Sequence, residues 1–457
     1  MFKIGDEYAN IVEDIKEMYS NAKGPELRDL VEKHFKPSAE EEKNNAEIST
    51  SRGLVDEMLL TMPDVFYSKP NKVIDLCCGK GTFPLAIFDK FWFGLETMYP
   101  DEIERCEVIM KECIYFADKN ENNVLITTIL LECQVQSYCG ISPEYKFNSY
   151  TGNSLELNTE IQMGVNLFDA VIGNPPYEVR DDKGITKGGT NLYSQFINYS
   201  IKILKKNGYL LFVTPISWLS PSTNIQSGND LLHNVFLKYD LLYLNLNECK
   251  KYFNVGSTFS YYLIRKSITE CITDVISEYK KKTIKSKINM KNYKSMKFLP
   301  IHITEESIEL VKDVVNTNDA LEKNLTISRS RTLDSSAKNT KKHLVKNDIK
   351  NENEENKKKY ETFIYPTYHT TTTSFYSDIK QNNYNKYRVL LNMSGYIKPT
   401  MINEGNTTES KFFIEVDNED EANKIITLLN SEKISKYLEL CKYSGFNSRI
   451  VLESIVI

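Results

Sequence analysis

Apolar residues recur at helical spacing at the start of the chain, where Ile4, Tyr8, Ile11, Val12, Ile15 and Tyr19 share one face until Gly24-Pro25 interrupts the pattern. This predicts a helical arm over residues 1–45. From residue 46 to 270 the pattern changes to short apolar runs separated by helix-like stretches, which is how an α/β sheet reads. Runs at Lys72–Leu76, Cys113–Ala117, Phe147–Thr151, Phe168–Ile172, Tyr209–Thr214, Leu241–Leu246 and Ser260–Arg265 predict seven strands. Strands alternating with helices in this way predict one doubly wound α/β sheet with helices on both faces. Beyond residue 270 the alternation lapses, and residues 271–457, rich in Lys, Asn, Thr and Tyr, are expected to form a separate α+β domain.

Composition narrows the class. The chain has 457 residues, 41% hydrophobic and 26% charged, which fits a globular protein of several units and excludes collagen-like, mucin-like and wholly disordered chains. The longest apolar runs, Val124 to Leu131 among them, fall far short of the roughly 20 residues that span a bilayer. The N-terminal segment mixes acids and bases and lacks an apolar signal core, so an intracellular protein without a membrane partner is expected, in the cytoplasm or nucleoid of a bacterial, phage or viral host. Nine cysteines without a C-x-x-C spacing are expected to be reduced thiols, neither disulfides nor metal ligands. A net charge of −5 means that any nucleic-acid-binding face is local. One candidate is Tyr279–Lys297, with eight lysines and no acid. It reads equally as a phosphate-tracking segment or as a solvated connector.

Two segments carry chemistry. Asp75-Leu-Cys-Cys-Gly-Lys-Gly-Thr-Phe83 joins an apolar strand to a stretch of helical spacing, so its glycines fall in a strand-to-helix turn. Gly79 and Gly81 remove side chains that block a ligand's approach to the backbone, and Asp75 at the strand end is placed to accept hydrogen bonds from an ammonium group or a ribose. The spacing is neither the dinucleotide G-x-G-x-x-G nor the phosphate-loop G-x-x-x-x-G-K-[ST], which points to a cofactor without a pyrophosphate. The second segment is Phe168-Asp-Ala-Val-Ile-Gly-Asn-Pro-Pro-Tyr177. Consecutive prolines cannot continue a central strand, and their fixed φ holds the Asn174 side chain and the Pro175 carbonyl rigidly at the sheet's carboxyl edge, where open α/β sheets bind ligands.

In this order the two motifs resemble those of S-adenosylmethionine-dependent adenine-specific (N6) DNA methyltransferases of restriction-modification type, gamma group. The resemblance implies a Rossmann-like seven-stranded methyltransferase sheet over residues 46–270 and a target-recognition domain over 271–457. It implies S-adenosylmethionine as cofactor, bound by Asp75, Cys77, Gly79, Gly81, Phe83, Asp118 and Asn153. Asp118 ends Ile114-Tyr-Phe-Ala-Asp118, which resembles the strand whose acid holds the cofactor ribose; Glu96 is the competing candidate. Asn153 lies in Thr151-Gly-Asn-Ser-Leu155, where the family usually has Asp, and its neutral carbonyl is the weaker acceptor. Ser49 to Met58 resembles the family's N-terminal motif without its Thr-Pro. Phe253 falls where a family aromatic packs on the extruded base, with a core aromatic as the alternative.

The implied catalytic group is Asn174, Pro175, Pro176 and Tyr177. An exocyclic adenine amine is a poor nucleophile because its lone pair is delocalised into the ring. The Asn174 carboxamide oxygen and the Pro175 carbonyl can each accept one of its N–H bonds, and Tyr177 offers a face for stacking. Double-stranded DNA is the expected partner, with base flipping between Tyr177 and Phe253, backbone contacts from Lys280–Lys297, Arg329 and Arg331, and a separate restriction endonuclease as an optional companion. The rivals are a methyltransferase for RNA adenine or a protein glutamine amide, and a catalytically silent nucleic-acid-binding specificity subunit.

Overall fold

The computed structural model describes residues 25–34, 50–140, 147–180, 186–221, 230–253, 258–315 and 324–456. Most of the expected N-terminal arm lies outside the described residues. Its described part is a helix, α1 (Pro25–His34), in which Pro25 opens the first turn, where its missing N–H costs nothing. The chain divides into two compact units, one comprising residues up to 218 with 224–295, the other residues 219–223 with 296–457. The boundary falls at 295/296, later than the expected 270.

The first unit is built on a nine-stranded sheet. Its strands are β1 (Val73–Asp75), β2 (Ile114–Asp118), β3 (Asn148–Thr151), β4 (Phe168–Gly173), β5 (Leu204–Pro215), β6 (Asp240–Leu246), β7 (Phe259–Arg265), β8 (Thr273–Tyr279) and β9 (Lys282–Ile288). They lie in the order β9-β8-β6-β7-β5-β4-β1-β2-β3. Strands β1 to β5 pair in parallel, β7 runs antiparallel to both its neighbours, and β6 recovers the common direction. All seven expected strands are present. The two additional ones form a hairpin whose second strand comes from the lysine-rich segment, with β8 parallel to β6 and β9 closing the edge.

Burial follows from this layering. Leu210, Leu211, Phe212 and Val213 of β5 are all buried, and since successive strand side chains point to opposite faces, both faces of the sheet are covered. One cover is α3 (Thr82–Gly94), apolar almost all round, followed by α4 (Glu102–Val108) and α5 (Glu121–Cys139). Asn120 caps α5 by accepting the Asn122 N–H. α4 and α5 pack together and join Cys106 to Cys139 in a disulfide, which corrects the expectation that every cysteine is reduced: helix packing, not sequence spacing, brings the two thiols together.

Beside the hairpin, Lys291, which follows β9, and Arg265 at the end of β7 both pair with the buried Asp240 at the start of β6, whose carboxyl is held well below the ordinary range. Burial alone would raise it, so the Lys291, Thr269 and Arg265 hydrogen bonds outweigh desolvation. Lys291 is therefore a structural residue, and Lys287 pairs with Asp274 across the hairpin.

Among the described residues the second unit has two four-stranded sheets and several helices, the longest being Glu305–Val315, Glu419–Leu429 and Glu432–Leu440. Leu429-Asn-Ser431 is the joint between two of these helices, with Ser431 capping the second by accepting the Ile434 N–H. Among the described residues no helix is long and apolar enough to cross a membrane.

Candidate active site

The chain leaves β1, passes outward through β2 and β3, and returns to the other side of β1 as β4. Adjacent parallel strands whose connections diverge leave a crevice at their carboxyl ends, the usual ligand site of open α/β sheets. Asp75 ends β1 and Asn174 follows β4, so the two sequence motifs meet at this crevice.

On the β1 side the turn is drawn tight. Gly79 and Gly81 adopt left-handed φ values of 51° and 84°, and a side chain on Gly81 would press on Thr127 at 3.1 Å. The Thr127 hydroxyl donates to the Gly79 carbonyl at 3.2 Å. Asp118, ending β2, accepts from the Gly79 N–H at 3.0 Å and the Asn120 N–H at 2.8 Å. Burial raises its carboxyl above the ordinary value against these bonds. Lys80 turns inward and donates to Asn123 at 2.7 Å.

Asp75 differs from Asp118. Its Oδ1 accepts the Cys77 N–H at 3.0 Å, while its Oδ2 is buried with no hydrogen-bond partner. Desolvation first, and the nearby Asp118 charge further, push its carboxyl up to about 8. The space it occupies exists because Gly173 has no side chain: a Cβ there would lie 2.6 Å from Asp75 Oδ1. A buried acid oxygen left without a donor at a ligand crevice is an unfilled acceptor.

The other expected cofactor residues fall into three settings. Cys77 is half-buried in the turn, with its thiol pushed up by burial and the neighbouring carboxylates. Phe83 is buried in the core cluster of the first unit. Asn153 is exposed, its carbonyl capping the short turn Ser154–Glu156 through Leu155 N–H and its amide donating to Glu156 at 2.7 Å. Ser154 ties this segment to the site by donating to the Leu76 carbonyl at 2.6 Å. Glu96 is exposed beyond the far end of α3, one helix length of about 20 Å from the glycine turn, and stands apart from the site.

On the β4 side the carboxamide of Asn174 is engaged at both ends. Nδ2 donates to Thr50 Oγ1 at 3.0 Å, and Oδ1 accepts from the Tyr177 hydroxyl at 2.7 Å. Burial pushes that hydroxyl up, so it stays protonated. The Tyr177 ring packs on Phe259 at 5.5 Å, and Phe259 stacks on Phe253 at 4.3 Å. Phe253 is 9% exposed, part of this aromatic cluster beside Tyr177. Residues 254–257, which follow it, lie outside the described residues.

Thr50 is the residue whose contact with the site the motifs did not specify. It immediately precedes Ser51, the cap of α2 (Arg52–Leu59). Glu57 of α2 accepts from the hydroxyls of Tyr252 and Tyr261, both at 2.8 Å, pinning the helix at the β6 and β7 end of the sheet. The only signal was the partial N-terminal motif, Ser49 to Met58.

With this geometry, residues 112–241 match the Eco57I restriction-modification methylase family model. That stretch is less than a third of the chain, and over it the sequence is similar to methylases of restriction-modification systems. A type II methyltransferase of Thermus thermophilus, M.TthHB8I, is 37% identical over 71 residues, 11% of this chain and 17% of that protein. The restriction enzyme and methyltransferase RM.Eco57I of Escherichia coli is 25% identical over 219 residues, 36% of this chain and 22% of that one. The matched stretches thus span about a fifth of these relatives. Among solved structures, the type IIL restriction-modification enzyme MmeI in complex with DNA shares the fold, with a TM-score of 0.62 at 11% identity, covering 95% of this chain and 70% of that one. The match to a methylase family model implies S-adenosylmethionine as cofactor, and the unfilled acceptor of Asp75 beside the glycine turn fits a ligand that carries an ammonium group.

Proposed function

We propose that the protein methylates the exocyclic N6 amine of adenine in double-stranded DNA, with S-adenosylmethionine as donor. The observation that carries this reading is the meeting of the Asp75 turn and the Asn174-Pro-Pro-Tyr177 segment at one crevice, on adjacent strands. Asp75 would hold the cofactor's ammonium group beside the Gly79 to Gly81 turn, and Asp118 would take its ribose. When bound, the cofactor supplies an electrophilic methyl group on a sulfonium centre.

The chain's own work is on the acceptor. Asn174 Oδ1 and the Pro175 carbonyl each accept one N–H of the target amine, drawing its lone pair out of conjugation and toward the methyl group. The prolines fix these two acceptors, so little reorganisation is needed as charge develops. Tyr177 gives up its hydrogen bond to Asn174 and turns its ring to the base. A base in a duplex must be extruded first, at a few kcal/mol, and the Tyr177 ring, backed by the buried Phe259 on which Phe253 stacks, offers it a face, in place of the expected Tyr177 and Phe253 sandwich.

DNA contacts are assigned to lysines at the β8–β9 turn. Because β8 runs parallel to β6, this turn projects from the carboxyl edge that also carries Asn174. Four strand spacings separate β8 from β4, about 19 Å, within reach of one duplex. Lys280 and Lys281 adopt left-handed φ values of 50° and 62°, where a two-residue turn favours Asn-Gly, so cations stand at strained positions. Lys281 and Lys282 are exposed, as are Arg329 and Arg331 of the second unit.

The test offers tritiated S-adenosylmethionine with unmethylated genomic DNA, total RNA and a protein extract in parallel. N6-methyladenine in DNA supports the reading; label only in RNA or protein removes it.

A further inference from the structure

We propose that Thr50 is a positioning residue for methyl transfer: its hydroxyl anchors Nδ2 of Asn174 and thereby keeps Oδ1 turned to where the acceptor amine arrives. This deepens the function proposed above and rests on Asn174 accepting from that amine. A primary amide turns about a broad, two-fold terminal torsion. With Nδ2 toward the amine, donor faces donor and the acceptor is lost. Two groups hold the amide, the Tyr177 hydroxyl on Oδ1 and the Thr50 hydroxyl on Nδ2. The first occupies the acceptor itself and is displaced when the amine arrives. Thr50 is then the anchor that persists through the reaction.

The anchor is built to hold still. Thr50 is 8% exposed, so bulk water does not replace its bond to Asn174. The next residue, Ser51, caps α2, and Glu57 further along α2 is fixed by two tyrosine hydroxyls and Lys251. Tyr252 packs against Gly53 so closely that an added Cβ would lie 3.0 Å from its ring. The bond joins residues 124 positions apart and makes the N-terminal segment part of the catalytic geometry.

The test compares the full chain with Thr50→Val and Thr50→Ser, using unmethylated genomic DNA as acceptor. Thr50→Val keeps the shape and removes the hydroxyl; kcat is expected to fall by about ten- to a hundred-fold, less than the cost of removing a group that itself touches the transition state, with KM for cofactor and DNA within about two-fold of wild type. Thr50→Ser restores the hydroxyl and is expected to recover kcat to within about three-fold. A Thr50→Val enzyme with wild-type kcat overturns the proposal. So does a Thr50→Ser enzyme as slow as Thr50→Val, which would assign the effect to packing, and so does a change confined to KM for the cofactor. If the wild-type protein labels RNA or protein instead of DNA, the DNA reading falls and the same variants are scored on that acceptor. If it labels none of them, both proposals fall.

Discussion

The two strand ends that meet at the crevice are finished in opposite ways. At the end of β1 a buried carboxylate oxygen of Asp75 has no donor, and its neighbour is the negative Asp118. At the end of β4 both ends of the Asn174 amide are satisfied by residues of the chain itself. The first is an open valence, costly in the free protein and relieved by a cation. The second is closed, comfortable in the free protein and opened only by exchanging one hydrogen bond for another. Under the proposed function, the Asp75 side would draw its ligand by relieving a deficit, while the Asn174 side would admit only a group that can replace a donor.

The largest effect that sharpens this contrast is expected from Asn174→Ala, which should lower methyl transfer by about 100- to 1,000-fold while leaving cofactor affinity unchanged, measured by single-turnover rates and calorimetric titration. Next is Asp75→Asn, which removes the carboxyl that ionises on binding a cation. It should weaken cofactor binding at least about ten-fold, the usual loss when a charge-assisted bond becomes neutral, and, above about pH 8, where Asp75 ionises in the free protein, stabilise the cofactor-free protein by about 1–3 kcal/mol in denaturant unfolding. Equal loss of both would show that Asp75 is satisfied in the free protein.

The same group sets a pH dependence. Between its ordinary value of 3.8 and about 8, the folded protein keeps a proton on Asp75 that the unfolded chain has released. Asp75 therefore favours folding fully below that window, and its contribution is lost as pH rises through it. Asp75→Asn should flatten that part of the stability curve, and saturating cofactor should do the same. A smaller effect is expected from Tyr177→Phe, which frees Asn174 Oδ1 without losing the ring: target binding tightens by about two- to five-fold, the worth of a hydrogen bond no longer displaced, and is read by DNA titration. The smallest concerns the hairpin. Replacing Lys280-Lys281 by Asn-Gly should raise the melting temperature while lowering the slope of log binding constant against log salt by about 0.9 for each phosphate no longer neutralised.

The sheet was legible because its central strands are buried on both faces and so read as apolar runs bounded by polar turns. The β8–β9 hairpin was not. As a half-solvated edge it alternates lysine with Ile284, Ser286 and Ile288, and lysine on an edge strand looks in sequence like a connector. At the site, the glycine turn and the Asn174-Pro-Pro-Tyr177 string were legible because backbone demands fix those residue types. The closure of Asn174 by Tyr177 and Thr50 depends on side-chain rotamers and on the meeting of distant segments, neither of which a local pattern records. Asn153 carries a part that its motif did not record: its side chain caps the turn Ser154–Glu156. The Cys106–Cys139 link belongs with Thr50, a consequence of packing without a spacing signature.

The most direct test of the central claim is nucleoside analysis of unmethylated genomic DNA after a single turnover with the wild-type protein and with Asn174→Ala, each first shown to bind S-adenosylmethionine. N6-methyladenine is expected from the wild-type protein and almost none from the variant. Equal methylation by both, or label on a nucleoside other than N6-methyladenine, would contradict the claim.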